Sequence, residues 1–120
     1  MKTSSIALLL VLSLFSCSHK LAPASTVAYD GSFVVSFFSR GSGTNYTAVS
    51  KFDQFIKDFN AKNPPAIAYT VVAWGREGEK DYCFQPTGKA NFSAFITQTN
   101  ELLKDQPLIH ITEHQACKTK

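Results

Sequence analysis

Sulfur and unbalanced charge are both scarce in this chain: three cysteines, one methionine, and 12 Lys and Arg against 9 Asp and Glu in 120 residues. No two cysteines stand as C-x-x-C, so a thioredoxin-like or heavy-metal-carrier role lacks its defining ligands. No G-x-S-x-G elbow occurs, and the histidines stand at 19, 110 and 114, so nucleophilic catalysis finds no support. The positive charges are few and scattered, which argues against nucleic acid as a partner. No apolar run approaches the roughly 20 residues that a membrane-spanning helix needs.

The apolar run that does exist is at the start. Lys2 is followed by Thr3-Ser4-Ser5 and then by Ile6 to Phe15, interrupted only by Ser13. As a helix this core of about ten residues spans only ~15 Å, half a bilayer core, and has the layout of a secretory signal. It ends in Leu14-Phe15-Ser16-Cys17, which resembles the lipobox of bacterial lipoproteins, although Phe15 is bulkier than the residue usual at that place. The resemblance implies acylation of the Cys17 thiol and cleavage in front of it; a soluble secreted protein is the competing reading. Two or three acyl chains, at ~0.8 kcal/mol per buried methylene, hold a protein on a bilayer where one would let go. By the rules of that family, Ser18 in place of an aspartate leans toward the outer membrane. Removing residues 1–16 leaves 104 residues and eleven Lys and Arg against nine Asp and Glu, room for one small domain.

With Cys17 given to lipid, Cys83 and Cys117 remain. In an oxidising envelope two such cysteines are expected to pair. Closing a loop of about 35 residues restricts the unfolded chain by roughly 3 to 4 kcal/mol. The competing reading is one buried thiol and one in a frayed tail.

Residues 17–28 carry Pro23 and no apolar period, which reads as a lipidated flexible tether. A single domain is expected over 29–117, with 118–120 as a tail. Its first strand runs from Ser32 to Ser39, with Phe33, Val35 and Phe37 on one face. Arg40-Gly41-Ser42-Gly43 is a turn, with Thr44 or Asn45 as N-cap of an amphipathic helix. Ala48, Val49, Phe52, Phe55, Ile56 and Phe59 form that helix's apolar stripe, and Asn63-Pro64-Pro65 ends it. Ile67 to Trp74 and Asp81 to Gln85 flank a polar, glycine-bearing loop as a hairpin. A second helix carries Phe92, Phe95, Ile96, Thr99, Leu102 and Leu103 on one stripe, capped by Thr87 or Asn91. After Pro107 comes a last strand, Leu108 to His114. The order predicts an α+β fold of the ferredoxin-like split β-α-β type (β-α-β-β-α-β), a four-stranded antiparallel sheet with two helices on one face.

Four groupings of residues have chemical content. His110-Ile111-Thr112-Glu113-His114 has the residue types of an H-x-x-E-H metalloprotease motif, but the alternating segment reads as a strand, where four residues span about 13 Å and two histidines do not share one zinc. Glu77, Glu79 and Asp81 cluster in the hairpin beside Arg76 and Lys80, a solvated loop. The glycine turns before the helices offer converging N–H groups and a helix dipole for an anion. The turns after the first and third strands are expected at the same sheet end, those strands being read as parallel, so that Arg40, Gly41, Gly43 and Thr44 would join Thr87 and Lys89 in one basic pocket. The plain alternative is a tight turn needing positive φ at Gly41 or Gly43. Finally, Trp74, Tyr69, Tyr82 and Phe84 would form an aromatic interface if they lie on the sheet face without helices; otherwise they split between core and surface.

The expectation is thus a binding or interaction module, lipid-anchored in the cell envelope and not an enzyme, with no cofactor or metal. Its partners would be the membrane, through Cys17, and another envelope protein. A small-ligand or anion-binding protein using the glycine turns is the alternative.

Overall fold

The computed structural model describes residues 32–85 and 91–115. Six elements follow one another: β1 (Phe33–Phe37), α1 (Tyr46–Lys62), β2 (Tyr69–Trp74), β3 (Glu79–Phe84), α2 (Phe92–Leu103) and β4 (Ile109–Glu113). The strands lie in the order β2-β3-β1-β4, every neighbouring pair antiparallel. This is the α+β, split β-α-β arrangement that the element order predicts.

Alternation along the central strands decides which side faces the helices. Phe33, Val35 and Phe37 of β1 stand opposite Phe84, Tyr82 and Lys80 of β3. The apolar members of these pairs form one buried cluster with Ala48, Val49, Phe52, Ile56 and Phe59 of α1 and with Phe92, Phe95, Ile96 and Leu103 of α2. Both helices therefore cover the same face. The rings interlock edge-on and tilted, with Phe84 and Phe95 4.8 Å apart and Phe52 and Tyr82 5.2 Å apart. Such contacts add roughly 0.5–1.5 kcal/mol per pair beyond the area buried.

Short polar links set the helix ends. Asn45, not Thr44, caps α1: its Oδ1 accepts the Ala48 N–H at 3.0 Å, which satisfies one of the helix's free donors. At the other end the Asn63 backbone N–H and Nδ2 both donate to the Phe59 carbonyl. Asn60 then makes a reciprocal pair with the backbone of Ile67, accepting its N–H at 2.8 Å and donating to its carbonyl at 3.2 Å. This pins Ile67 into the core ahead of β2. Asn91 stands at the N-cap position of α2 without capping it. Its Nδ2 instead donates to the carbonyls of Asn63 and Pro65, joining the start of α2 to the end of α1. Thr87, the other candidate cap, lies outside the described residues.

Phe84 touches Phe33, Phe52, Tyr69 and Phe95 at once. Phe84→Ala is expected to lower stability by ~3 to 5 kcal/mol. In urea unfolding the midpoint should fall with little change in slope, whereas Val71→Ala, on an exposed strand, should change stability by less than ~0.5 kcal/mol.

Candidate functional site

The two sheet edges differ sharply. At one, Ile109 and Ile111 of β4 pack against the core cluster, and His110 and Glu113 put ionisable groups along a five-residue strand. At the other, β2 is six residues long and uncharged, Tyr-Thr-Val-Val-Ala-Trp. Tyr69 is 39% and Val71 49% exposed, although both point to the helix side of the sheet. The helices cover β1 and β3 and stop short of β2. One row of β2 backbone N–H and C=O groups therefore faces away from β3, flanked by apolar side chains.

A hydrogen-bonded loop closes the end of this edge. Between Trp74 and its cross-strand partner Glu79, Gly75 and Gly78 adopt positive φ values of 69° and 89°. Both have neighbours where a side chain would go. A Cβ on Gly78 would come within 2.8 Å of the Tyr46 hydroxyl, and one on Gly75 would collide with the Glu79 carboxylate. Tyr46 Oη donates to the Glu77 carbonyl at 3.2 Å, and the Glu77 N–H donates to Glu79 Oε2 at 2.8 Å. The Glu77 N–H, followed by Glu79's own N–H, holds the Glu79 carboxyl below the usual carboxylate range. Beside the loop lies an open cleft of about 550 Å³, bounded by Tyr46, Trp74, Arg76 and Lys80.

The glycine turn after β1 is also engaged. Gly41 and Gly43 have φ values of 94° and 82°, as a tight turn requires. The Gly41 N–H donates to Glu77 Oε2 at 3.1 Å, and the Ser39 hydroxyl donates to the same oxygen. The chain's own carboxylate thus occupies the donors that would hold an anion. Arg40 is exposed, its guanidinium carbon 6.0 Å from the Phe38 ring centroid. Thr44 is buried, and its hydroxyl has no hydrogen-bond partner.

Strand direction corrects the basic pocket. The turns after the first and third strands share an end only if those strands are parallel, and β1 and β3 are antiparallel. β1 ends at Phe37 opposite Lys80, while β3 ends at Phe84 opposite Phe33. The premise that joined Arg40, Gly41, Gly43 and Thr44 to Thr87 and Lys89 therefore fails. Thr87 and Lys89 lie outside the described residues, as do Cys17 and Cys117.

The four candidate interface aromatics do not share a surface. Tyr82 and Phe84 are buried in the helix-covered core, and Tyr69 stacks on their rings from the edge. Trp74 alone lies on the opposite face, half-buried, its Nε1–H donating to Asp81 Oδ1 at 2.8 Å. The missed feature is the edge itself. Its signal was the absence of any charge from Ile67 to Trp74. His110 and His114 flank a strand segment, not one helical turn, and no cluster of metal-ligand side chains occurs among the described residues.

Burial, and next the Asp53 carboxylate that accepts the Tyr82 hydroxyl at 2.7 Å, push the phenol well above its ordinary range. A raised tyrosine contributes stability that is complete below the unfolded value of about 10 and is lost as pH rises beyond it. Between pH 9 and 11.5 the melting temperature should fall more steeply for the native chain than for Tyr82→Phe. No known protein family, curated protein or solved structure matches this chain.

Proposed function

We propose that the protein is an exported, lipid-anchored module of the cell envelope that binds another envelope protein through the β2 edge. The observation that carries the binding role is that edge: a six-residue uncharged strand, last in the sheet order, with Tyr69, Thr70, Val71 and Ala73 exposed. An uncovered edge of this kind is a template for strand addition, in which main-chain hydrogen bonds give affinity and alternate side chains give specificity. The partner that fits is an extended, apolar segment, whose side chains lie beside Tyr69 and Val71 on one face and Val72 and Trp74 on the other. The Gly75–Gly78 loop, braced by Tyr46, gives this edge a fixed end.

The anchor rests on the sequence before the domain, where Leu14-Phe15-Ser16-Cys17 resembles a lipobox. Anion binding at the glycine turn is the less favoured reading, since Glu77 already fills the Gly41 donor.

Crosslinking in intact cells, followed by affinity purification, tests the edge. Val71→Lys places a charge at a half-exposed site and should leave folding intact while reducing partner recovery at least tenfold. Undiminished recovery would overturn the edge as the binding surface. Separately, Cys17→Ser should move the protein from the membrane to the soluble fraction, and a mutant that stays membrane-bound would refute lipidation at that residue.

A further inference from the structure

An edge strand as exposed as β2 is a hazard to the protein that carries it unless another strand occupies it. The two edges of this sheet are unequally protected. β4 bears His110 and Glu113 within five residues, and its Ile109 and Ile111 are drawn against the core cluster. β2, last in the order on the other side, bears no charge and no proline. Pairing of β2 with the β4 of a second copy would set its apolar side chains beside ionisable ones and leave an edge open at each end. Two β2 strands that meet close on each other and leave neither of them unpaired.

The side chains of β2 suit that meeting. In an antiparallel β2–β2 pair the copies are related by a twofold axis normal to the sheet, so the helices of both lie on one side. Residues opposite each other then belong to the same face. Tyr69, Val71 and Ala73 lie on the helix side, and Thr70, Val72 and Trp74 on the other. With the axis at Val71, that residue faces its own copy, Thr70 faces Val72 and Tyr69 faces Ala73. No charged side chain stands along the pair. The largest side chains leave the approach clear: the Tyr69 ring stacks inward on Tyr82 at 6.1 Å, and the Trp74 indole reaches inward to Asp81. Moving the axis to Val72 would set Tyr69 opposite Gly75, which lies beyond the strand.

We propose that two copies of this chain pair antiparallel through β2, with Val71 on the twofold axis, to form one continuous sheet with the helices of both copies on the same face. The pairing rests on the reading of β2 as the binding edge and states what fills that edge when no other protein does. A contact of one short strand from each copy falls below the roughly 1,200 Å² buried by a stable interface. The copies therefore exchange, and a strand from another protein can displace one of them.

Co-purification of full-length copies that carry two different affinity tags, co-expressed and solubilised in detergent, tests the pairing. Native copies should recover each other, and sedimentation equilibrium should show a dimer. Val71→Lys sets two ammonium groups against each other across the axis, and Val71→Glu sets two carboxylates. Each variant should recover its own kind roughly tenfold less than the native chain does. Val71→Lys co-expressed with Val71→Glu should restore recovery, because opposite charges then meet at the same position, and that rescue also shows that both variants fold.

Undiminished recovery in either variant alone, or no rescue in the mixed pair, overturns the pairing at Val71. A native chain that recovers another envelope protein through β2 but never a second copy overturns the self-pairing and leaves the edge as a binding surface. A native chain that recovers its copy with rescue, and no other protein, supports the pairing and overturns the other-protein reading.

Discussion

Phe33, Phe52, Phe84, Phe92 and Phe95 meet where the β1–β3 pair passes beneath the two helices, with centroid separations from 4.8 to 6.5 Å. Two rings come from strands and three from helices, so their packing holds the two layers together. It also determines register. Sliding β1 by one position against β3 would send Phe33, Val35 and Phe37 to the other face and take three apolar side chains out of the cluster. The helix caps, the Asn60–Ile67 pair and the Asn91 links position the ends of the elements around that cluster.

Because the cluster is centred on β1 and β3, helix coverage is uneven. Ile109 and Ile111 on β4 still reach the cluster, whereas Tyr69 and Val71 on β2 reach only its margin. The same packing that stabilises the domain therefore leaves one edge exposed. Edge strands are commonly blunted by lysine, proline or a covering loop; β2 has neither lysine nor proline along its length, and none of the described loops covers it. The loop beyond it is tied to the domain by hydrogen bonds: Tyr46, Ser39 and Gly41 satisfy the polar groups of Glu77, and Glu79 accepts its N–H. The carboxylates of this loop act as internal acceptors and neutralise the glycine turn that might otherwise hold an anion.

Much of the fold was legible because local periodicity and burial agree. The alternation of Phe33, Val35 and Phe37, the three- and four-residue steps of α1 and α2, and the breaks at Asn63-Pro64-Pro65 and Pro107 mark the elements. The candidate site was less legible. Tyr69, Tyr82 and Phe84 belong to one alternating pattern with the core, and only the position of each strand within the sheet distinguishes a buried ring from an exposed one. Trp74 was separated from them by strand alternation, which places it over Asp81. The joined glycine turns failed on strand direction, which no residue in either turn encodes.

By itself the sequence determined the kinds and order of the elements and the apolar stripes that would be buried. These follow from side-chain chemistry at short range, where spacings of two, three and four residues decide which faces are apolar. The tertiary structure alone decided that β2 is an edge strand, that Glu77 fills the Gly41 donor, and that Val34 and Cys83 are buried on the second face. Each of these depends on contacts between residues far apart in the chain, and such contacts exist only once the sheet order has brought them together.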